Sequence, residues 1–394
     1  MIDRELLPAL LARAKTFSVV TLTGPRQSGK TTLCKMAFPD RRRVSLEPLD
    51  MRDFARTDPR GFLASLPDGG VLDEVQRCPD LLSYLQEDVD DRPHPGRWIL
   101  TGSNNLQLQS RVSQTLAGRT ALLTLLPCGL EEADLLGGKA GTWAEAALRG
   151  GYPAPMDRGL DRAAWLASYV ATYVERDVRD VLQIGDLLTF QAFLRLCAGR
   201  AGQLLNLSQV ASDVGVAHNT IRSWVSVLET TYIAFRLAPW HASLTKREVK
   251  TPKLYFWDTG LLCWLLGIRD ADQLGVHPLR GAVFENLVAA ELHKANLHRG
   301  QVPNWFFYRD HLGTEVDFVE PTPSGLRVAK AESAATMTQE FLAPIERLRA
   351  LTAKALPMTD AAVIFGGDTD QRRTGCRVVT WRGTASWAMS DTAS

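Results

Sequence analysis

The chain has 394 residues, 45% of them hydrophobic and 23% charged, which is the composition of a globular protein with two or three domains. Its formal net charge of +1 excludes a chain-wide attraction to nucleic acid, so any such surface has to be a local patch. Six scattered cysteines with no CxxC or CxxH pair argue against zinc and against a disulfide framework, and for single buried thiols in a reducing compartment.

In chain order, MIDRELLPALLARAK has apolar positions at helical spacing but is broken by charges, unlike a signal peptide. No run of 18 apolar residues follows, so we expect a cytoplasmic protein without a membrane partner. FSVVTLTG reads as a short buried strand and KTTLCKMAF as the start of a helix. Between them Gly24-Pro25-Arg26-Gln27-Ser28-Gly29-Lys30-Thr31, with Thr32 next, fits GxxxxGKT at every specified position. The glycines let successive amides curl around a phosphate, Lys30 reaches the terminal phosphates and the Thr31 hydroxyl suits magnesium. These residues are the expected ATP and Mg2+ contacts.

GGVLDEVQRCPDLL then supplies a strand ending in Asp73 and Glu74. At that position Asp73 would hold the metal and Glu74 would polarise the attacking water. RWILTGSNN is a third strand running into Thr101, Ser103 and Asn104, of which Ser103 or Asn104 suits a sensor of the terminal phosphate, or simply a capped turn. Arg119, before the strand TALLTLL, is either a finger on its own or a neighbouring subunit's nucleotide or an ordinary surface arginine.

GPRQSGKTTL, VLDEVQRCPDLL, ILTGSN and the AGR before LLPCGLEE together resemble the bacterial and archaeal AAA-type ATPases fused to an uncharacterised C-terminal domain. GGYP, YVERDVRDV, YFWDTGLLCWLLG, FENLVAAEL and EVDFVE extend the resemblance over nearly the whole chain. It implies an α/β protein: a P-loop NTPase sheet domain, a helical and winged-helix middle, and an α/β restriction-endonuclease-like C-terminal domain. We place these at 1–135, 136–203 (a helical lid-like region), 204–245 and 246–394. A homo-oligomer is expected, a ring being one form.

The stretch from about 140 to 200 has helical periodicity, with Arg176 and Arg179 on a solvated face or near nucleotide. LLNLSQVASDVGVAHNTIRSWVSVLETTYIAFRLAPW reads as a helix-turn-helix with the tight turn at Gly215 and a wing beginning at YIAFRL. Asn219 and Arg222 on its second helix are candidate DNA contacts, although winged helices also bind proteins. SLTKREVKTPK adds Lys246, Arg247, Lys250 and Lys253, a basic stretch suited either to phosphates or to a solvated linker.

In the C-terminal part Glu285 lies on an amphipathic helix, Asp317 on the strand TEVDFVE and Lys330-Ala331-Glu332 on the strand LRVAKAE. The resemblance implies a carboxylate and lysine site for magnesium-dependent cleavage, with Glu-x-Lys in the last strand. Here that order is reversed. Residues two apart share a strand face, so both groups still point the same way, but the charges have moved by about 6.5 Å. We therefore expect a scaffold with lost or rewired cleavage. AAVIFGGD and CRVVTWRG complete the sheet and TASWAMSDTAS frays. The leading expectation is a Mg-dependent ATPase whose C-terminal modules act on DNA. The alternatives are an ATP-regulated nuclease and a nucleotide-dependent switch for a protein partner.

Overall fold

The computed structural model of the chain describes residues 2–103, 112, 114–174, 187–241, 250–353 and 356–390. The expectations for Asn104, Arg176, Arg179, Lys246 and Arg247 lie outside the described residues. The chain divides into two compact units, the first holding residues up to Cys128 with Thr230–Tyr232 and Leu297–Gln301, the second the rest.

The first unit is built on five parallel strands: β1 (Val19–Thr23), β2 (Arg43–Ser45), β3 (Gly70–Asp73), β4 (Trp98–Thr101) and β5 (Thr120–Thr124). Their order across the sheet is β2-β3-β4-β1-β5. Every residue of β1 is buried, as a central parallel strand covered on both faces demands. Its side chains alternate between two cores. Val19 joins Leu72, Trp98 and Leu100. Val20 and Leu22 join Val71, Ile99, Leu123 and Leu33. Each such aliphatic side chain contributes about 1.5–3 kcal/mol on burial. Because all five strands run the same way, their carboxyl ends share one edge. That edge carries Gly24, Asp73 with Glu74, and Gly102 with Ser103.

The second unit begins with four short helices, Leu130–Gly137, Trp143–Arg149, Pro153–Arg158 and Arg162–Tyr169. Buried Asp258 ties this region to the next: its Oδ2 accepts from the Gly151 amide at 2.6 Å, and its Oδ1 caps the helix Thr259–Leu265 through Leu261 at 2.7 Å. The helix-turn-helix is present as Leu207–Val214, a left-handed turn at Gly215 (φ 77°), and His218–Thr230. Trp224 of its second helix packs on Phe190 and Phe193 of the helix Leu187–Gly199, with ring centres 5.4 and 5.2 Å apart. A two-stranded antiparallel pair, β6 (Ala234–Leu237) with β7 (Lys253–Phe256), follows.

Beyond the long helix Arg280–Leu297 comes a mixed sheet of β8 (Phe306–Arg309), β9 (Glu315–Thr322), β10 (Gly325–Glu332), β11 (Met358–Phe365), β12 (Gln371–Arg373) and β13 (Cys376–Thr380). Its order is β12-β13-β11-β10-β9-β8. Strands β10, β11 and β13 are mutually parallel, and the helix Ala343–Thr352 makes the crossover from β10 to β11. The tail departs from expectation: Thr384–Ala388 is a helix rather than a frayed end. The reason is Trp387, which is buried, with its ring 5.9 Å from that of Trp305 and the Arg327 guanidinium over it at 5.7 Å. All six cysteines are buried, and no described helix is long and apolar enough to cross a membrane.

Candidate functional site

The loop between β1 and the helix Lys30–Ala37 is shaped by backbone conformations that few residues tolerate. Gly24 has φ 146°, and a Cβ there would sit 2.1 Å from the Leu125 carbonyl oxygen. Gly29 (φ 96°) and Gln27 (φ 64°) also have positive φ, turning the loop tightly enough for its amides to converge. Lys30, 6% exposed, donates from Nζ to the carbonyl oxygens of Gly24 at 2.9 Å and Pro25 at 2.7 Å. Burial pulls its pKa down from 10.5 to about 8, a fall opposed by Glu74 and Asp73 and assisted by Arg26. Ser28 Oγ braces the loop by donating to the Pro25 carbonyl at 3.0 Å. Arg26 is half-buried, Gln27 exposed, and Thr32 exposed on the first turn of the helix.

Thr31 and Asp73 come together, the hydroxyl donating to Oδ2 at 2.8 Å. Thr101, on the strand between them, donates to the other oxygen of Asp73. Glu74 has φ 58°, a left-handed conformation that costs a non-glycine residue of order 1–3 kcal/mol and aims its carboxylate off the end of β3. Ser103 meets it, with Oγ to Oε2 at 3.4 Å, and Gln76 Nε2 bonds both Glu74 and Ser103, the latter at 3.2 Å. Two groups that sequence reasoning did not assign to this site are therefore Gln76 and Arg4. Buried Arg4, just ahead of the first helix, donates to the carbonyls of Ser28 at 2.7 Å and Leu126 at 2.8 Å, clamping the loop from below.

Arg119 is elsewhere. Its carbonyl accepts from the amide of Val19, so it lies at the amino end of β1, about 13 Å along the strand from the phosphate loop. Its guanidinium is held by both oxygens of Asp90, at 2.5 and 2.8 Å. The loop and Arg119 occupy opposite edges of a parallel sheet.

In the second unit Glu285, Asp317, Lys330 and Glu332 do gather. Lys330 Nζ donates to both oxygens of Asp317, at 3.0 and 2.9 Å, and lies 3.7 Å from Glu332. The Ala331 amide adds a third bond to Asp317 at 2.8 Å. Lys253 changes the reading of this cluster. Expected on a solvated basic stretch, it is 1% exposed and bridges Glu285 at 2.8 Å and Glu315 at 2.5 Å. Tyr255 donates its hydroxyl to Glu285 as well, at 2.5 Å. Burial, and then Asp317, raise the pKa of Glu285, against the pull of Lys253. Lys253 itself is raised although burial opposes it, by Glu285, Asp317 and Glu315. Among the described residues no group of three or more His, Cys, Asp or Glu is arranged to hold a metal. Asn219, Arg222 and Lys250 are exposed.

A parallel sheet with a glycine-lysine-threonine loop after one strand and an aspartate on another defines the class of P-loop domains. Residues 16–133 match the family model described as an AAA domain. Residues 141–272 and 280–382 match two further families, each described as a domain of unknown function (DUF8612 and DUF4143). Two curated relatives, the uncharacterized proteins Mb2031c of Mycobacterium bovis and Rv2008c of Mycobacterium tuberculosis, are each 35% identical over 301 residues. The match takes in 74% of this chain and 66% of each relative, so the chain spans about two thirds of their length. Among solved structures, the Walker-type ATPase PABY2304 of Pyrococcus abyssi matches at 14% identity over 67% of this chain and 96% of that one, with a TM-score of 0.41. RuvB of Thermotoga maritima matches at 20% identity over 59% of this chain and 86% of that one, with a TM-score of 0.27.

Proposed function

We propose that the chain is a Mg2+-dependent ATPase, and the observation that carries this reading is the 2.8 Å contact between Thr31 and Asp73 at the mouth of the phosphate loop. A hydroxyl and a carboxylate oxygen side by side fit a small hard cation that takes one or two protein oxygens and completes its shell with phosphate and water. Bound there, such an ion would neutralise charge on the terminal phosphates. The protein's own contribution follows from its residues. The loop amides and Lys30 hold the phosphates once the ammonium leaves the carbonyls of Gly24 and Pro25. Glu74, steadied by Ser103 and Gln76, takes the proton of the attacking water. Thr101 keeps Asp73 oriented by donating to it.

Lys30→Ala should abolish binding of a fluorescent ATP analogue. Glu74→Gln should bind it as the parent does while turnover falls by about 10²-fold or more. Turnover at the parental rate in Glu74→Gln would remove Glu74 from its role. Exposed Asn219 and Arg222 on the second helix of the helix-turn-helix support a DNA partner for the second unit. For the carboxylate cluster, both lysines are already spent on its acids, which supports an ionic strut between the helix Arg280–Leu297 and the sheet rather than a cleavage centre.

A further inference from the structure

One row of charges crosses the C-terminal sheet and ends without its last partner. Glu320 on β9 faces Arg327 on β10, which faces Asp360 on β11. Arg327 bonds Glu320 at 3.1 Å and lies 3.7 Å from Asp360. Asp360 in turn accepts from Arg377 on β13, at 3.1 Å to Nε. The signs alternate up to this point. The next strand, β12, then places Arg372 directly opposite Arg377. Directly opposed like charges on neighbouring strands destabilise a sheet, and their Cβ atoms are only about 4.5–5.5 Å apart. Among the described residues no carboxylate pairs with Arg372, nor with Arg373 beside it, whose guanidinium meets only the Gln371 side chain.

These arginines border a cavity of ≈ 710 Å³ at the starting ends of β11 and β13, with Arg349 on its wall. Arg349 is turned there by a bond to the Gly375 carbonyl. A second cavity of ≈ 330 Å³ adjoins it and shares Arg372 and Arg377. The acids nearby are accounted for: Asp360 serves Arg377, and Asp370 accepts from the Thr380 amide at 2.7 Å. Glu346 lies close enough to Cys376 to act on its thiol, yet bonds none of the four arginines among the described contacts. Among the residues lining the larger cavity, four guanidinia stand against one carboxylate, Asp360, with Asp370 and Glu346 nearby, an excess of positive charge that suits a polyvalent anion.

We propose that this cavity binds phosphate groups, with Arg372 and Arg373 as the principal contacts and Arg349 and Arg377 flanking them. Planar guanidinia match phosphate oxygens two at a time, and a phosphate placed between Arg372 and Arg377 restores the alternation of the row. The phosphate comes either from a nucleic-acid backbone or from a free phosphorylated molecule. The site is separate from the loop at Gly24–Thr31 and does not depend on the ATPase reading.

The test uses the full chain carrying Lys30→Ala, so that the nucleotide loop takes no phosphate. Anisotropy with labelled duplex and single-stranded DNA over a salt series, and calorimetry with inorganic pyrophosphate, are run on this parent and on Arg372→Glu/Arg373→Glu. Both positions are exposed on an edge strand, so the variant keeps its fold, which circular dichroism checks. Arg347→Glu, an exposed charge reversal outside the cavity, serves as control. We expect at least a tenfold loss in the double variant and less than twofold in the control. Loss with DNA, together with a salt slope flatter by about two, identifies a backbone phosphate. Loss with pyrophosphate alone identifies a free one. Equal binding by parent and double variant, or no binding of either probe by the parent, overturns the proposal.

Discussion

At the scale of single residues the phosphate loop is held in a conformation that works against its own lysine. Lys30 is charged, buried and satisfied by two carbonyls, and its pKa of about 8 records what desolvation costs it. The sign follows directly. A lysine whose folded value lies below the unfolded 10.5 penalises the fold while protonated, and the penalty is relieved as pH climbs from about 8 towards 10.5. Nucleotide binding has the opposite sense, because a triphosphate needs the ammonium. We expect ATP affinity, measured calorimetrically between pH 7 and 10, to be flat below about 8 and to fall roughly tenfold per unit above it. A flat profile across the whole range would mean that Lys30 does not meet the phosphates. Burial sets this value, with Glu74, Asp73 and Cys34 opposing the fall and Arg26 adding to it.

At the scale of elements, sequence reading succeeded where chemistry is local and stopped where it depends on strand order. GxxxxGKT names its own residues because a phosphate cradle is built from consecutive amides. Asp73 and Thr31 are 42 positions apart and still legible, since each ends or follows a recognisable strand. The interposed β4, which sets Thr101 against Asp73 and Ser103 against Glu74, is a property of the sheet and not of any segment. Arg119 shows the same limit from the other side: its sequence neighbourhood suggested a cation near nucleotide, while the parallel pairing of β5 with β1 puts it at the far edge. Lys253 is the clearest case. Its flanking lysines and arginine made it look solvated, and only the pairing of β7 with β6 carries it inside. Replacing it by methionine tests what it does there. With Glu285 left without its ammonium and half-buried Glu315 left with only Arg309, Lys253→Met should lose about 3 kcal/mol at neutral pH. Glu285, already raised above its usual value, would rise further, so the loss should shrink as pH falls and the acid takes up a proton. Thermal melts from pH 7 to 4 measure this. A pH-independent deficit would point to lost packing against Phe307, whose ring centre lies 5.5 Å from Nζ.

At the scale of the whole molecule the chain joins a unit whose residues 16–133 match an AAA domain family to a larger unit carrying a helix-turn-helix and a mixed sheet. On the proposed function, hydrolysis in the first unit answers to a ligand on the second. The corresponding expectation is that duplex, branched or single-stranded DNA raises the ATPase rate several-fold. Arg222→Ala should cut that stimulation while leaving the rate without DNA unchanged, because Arg222 is exposed and stands outside the nucleotide loop. Rates indifferent to every DNA form would favour a protein partner instead.

Tyr232 connects these scales. Its hydroxyl donates to Thr23 Oγ at 2.7 Å, one residue before Gly24, and it is the third of three residues that fold with the first unit although both flanking segments fold with the second. The strand that launches the phosphate loop is thus finished by an amino acid some two hundred positions downstream. Anyone wishing to isolate the nucleotide module by cutting near residue 135 would discard that brace.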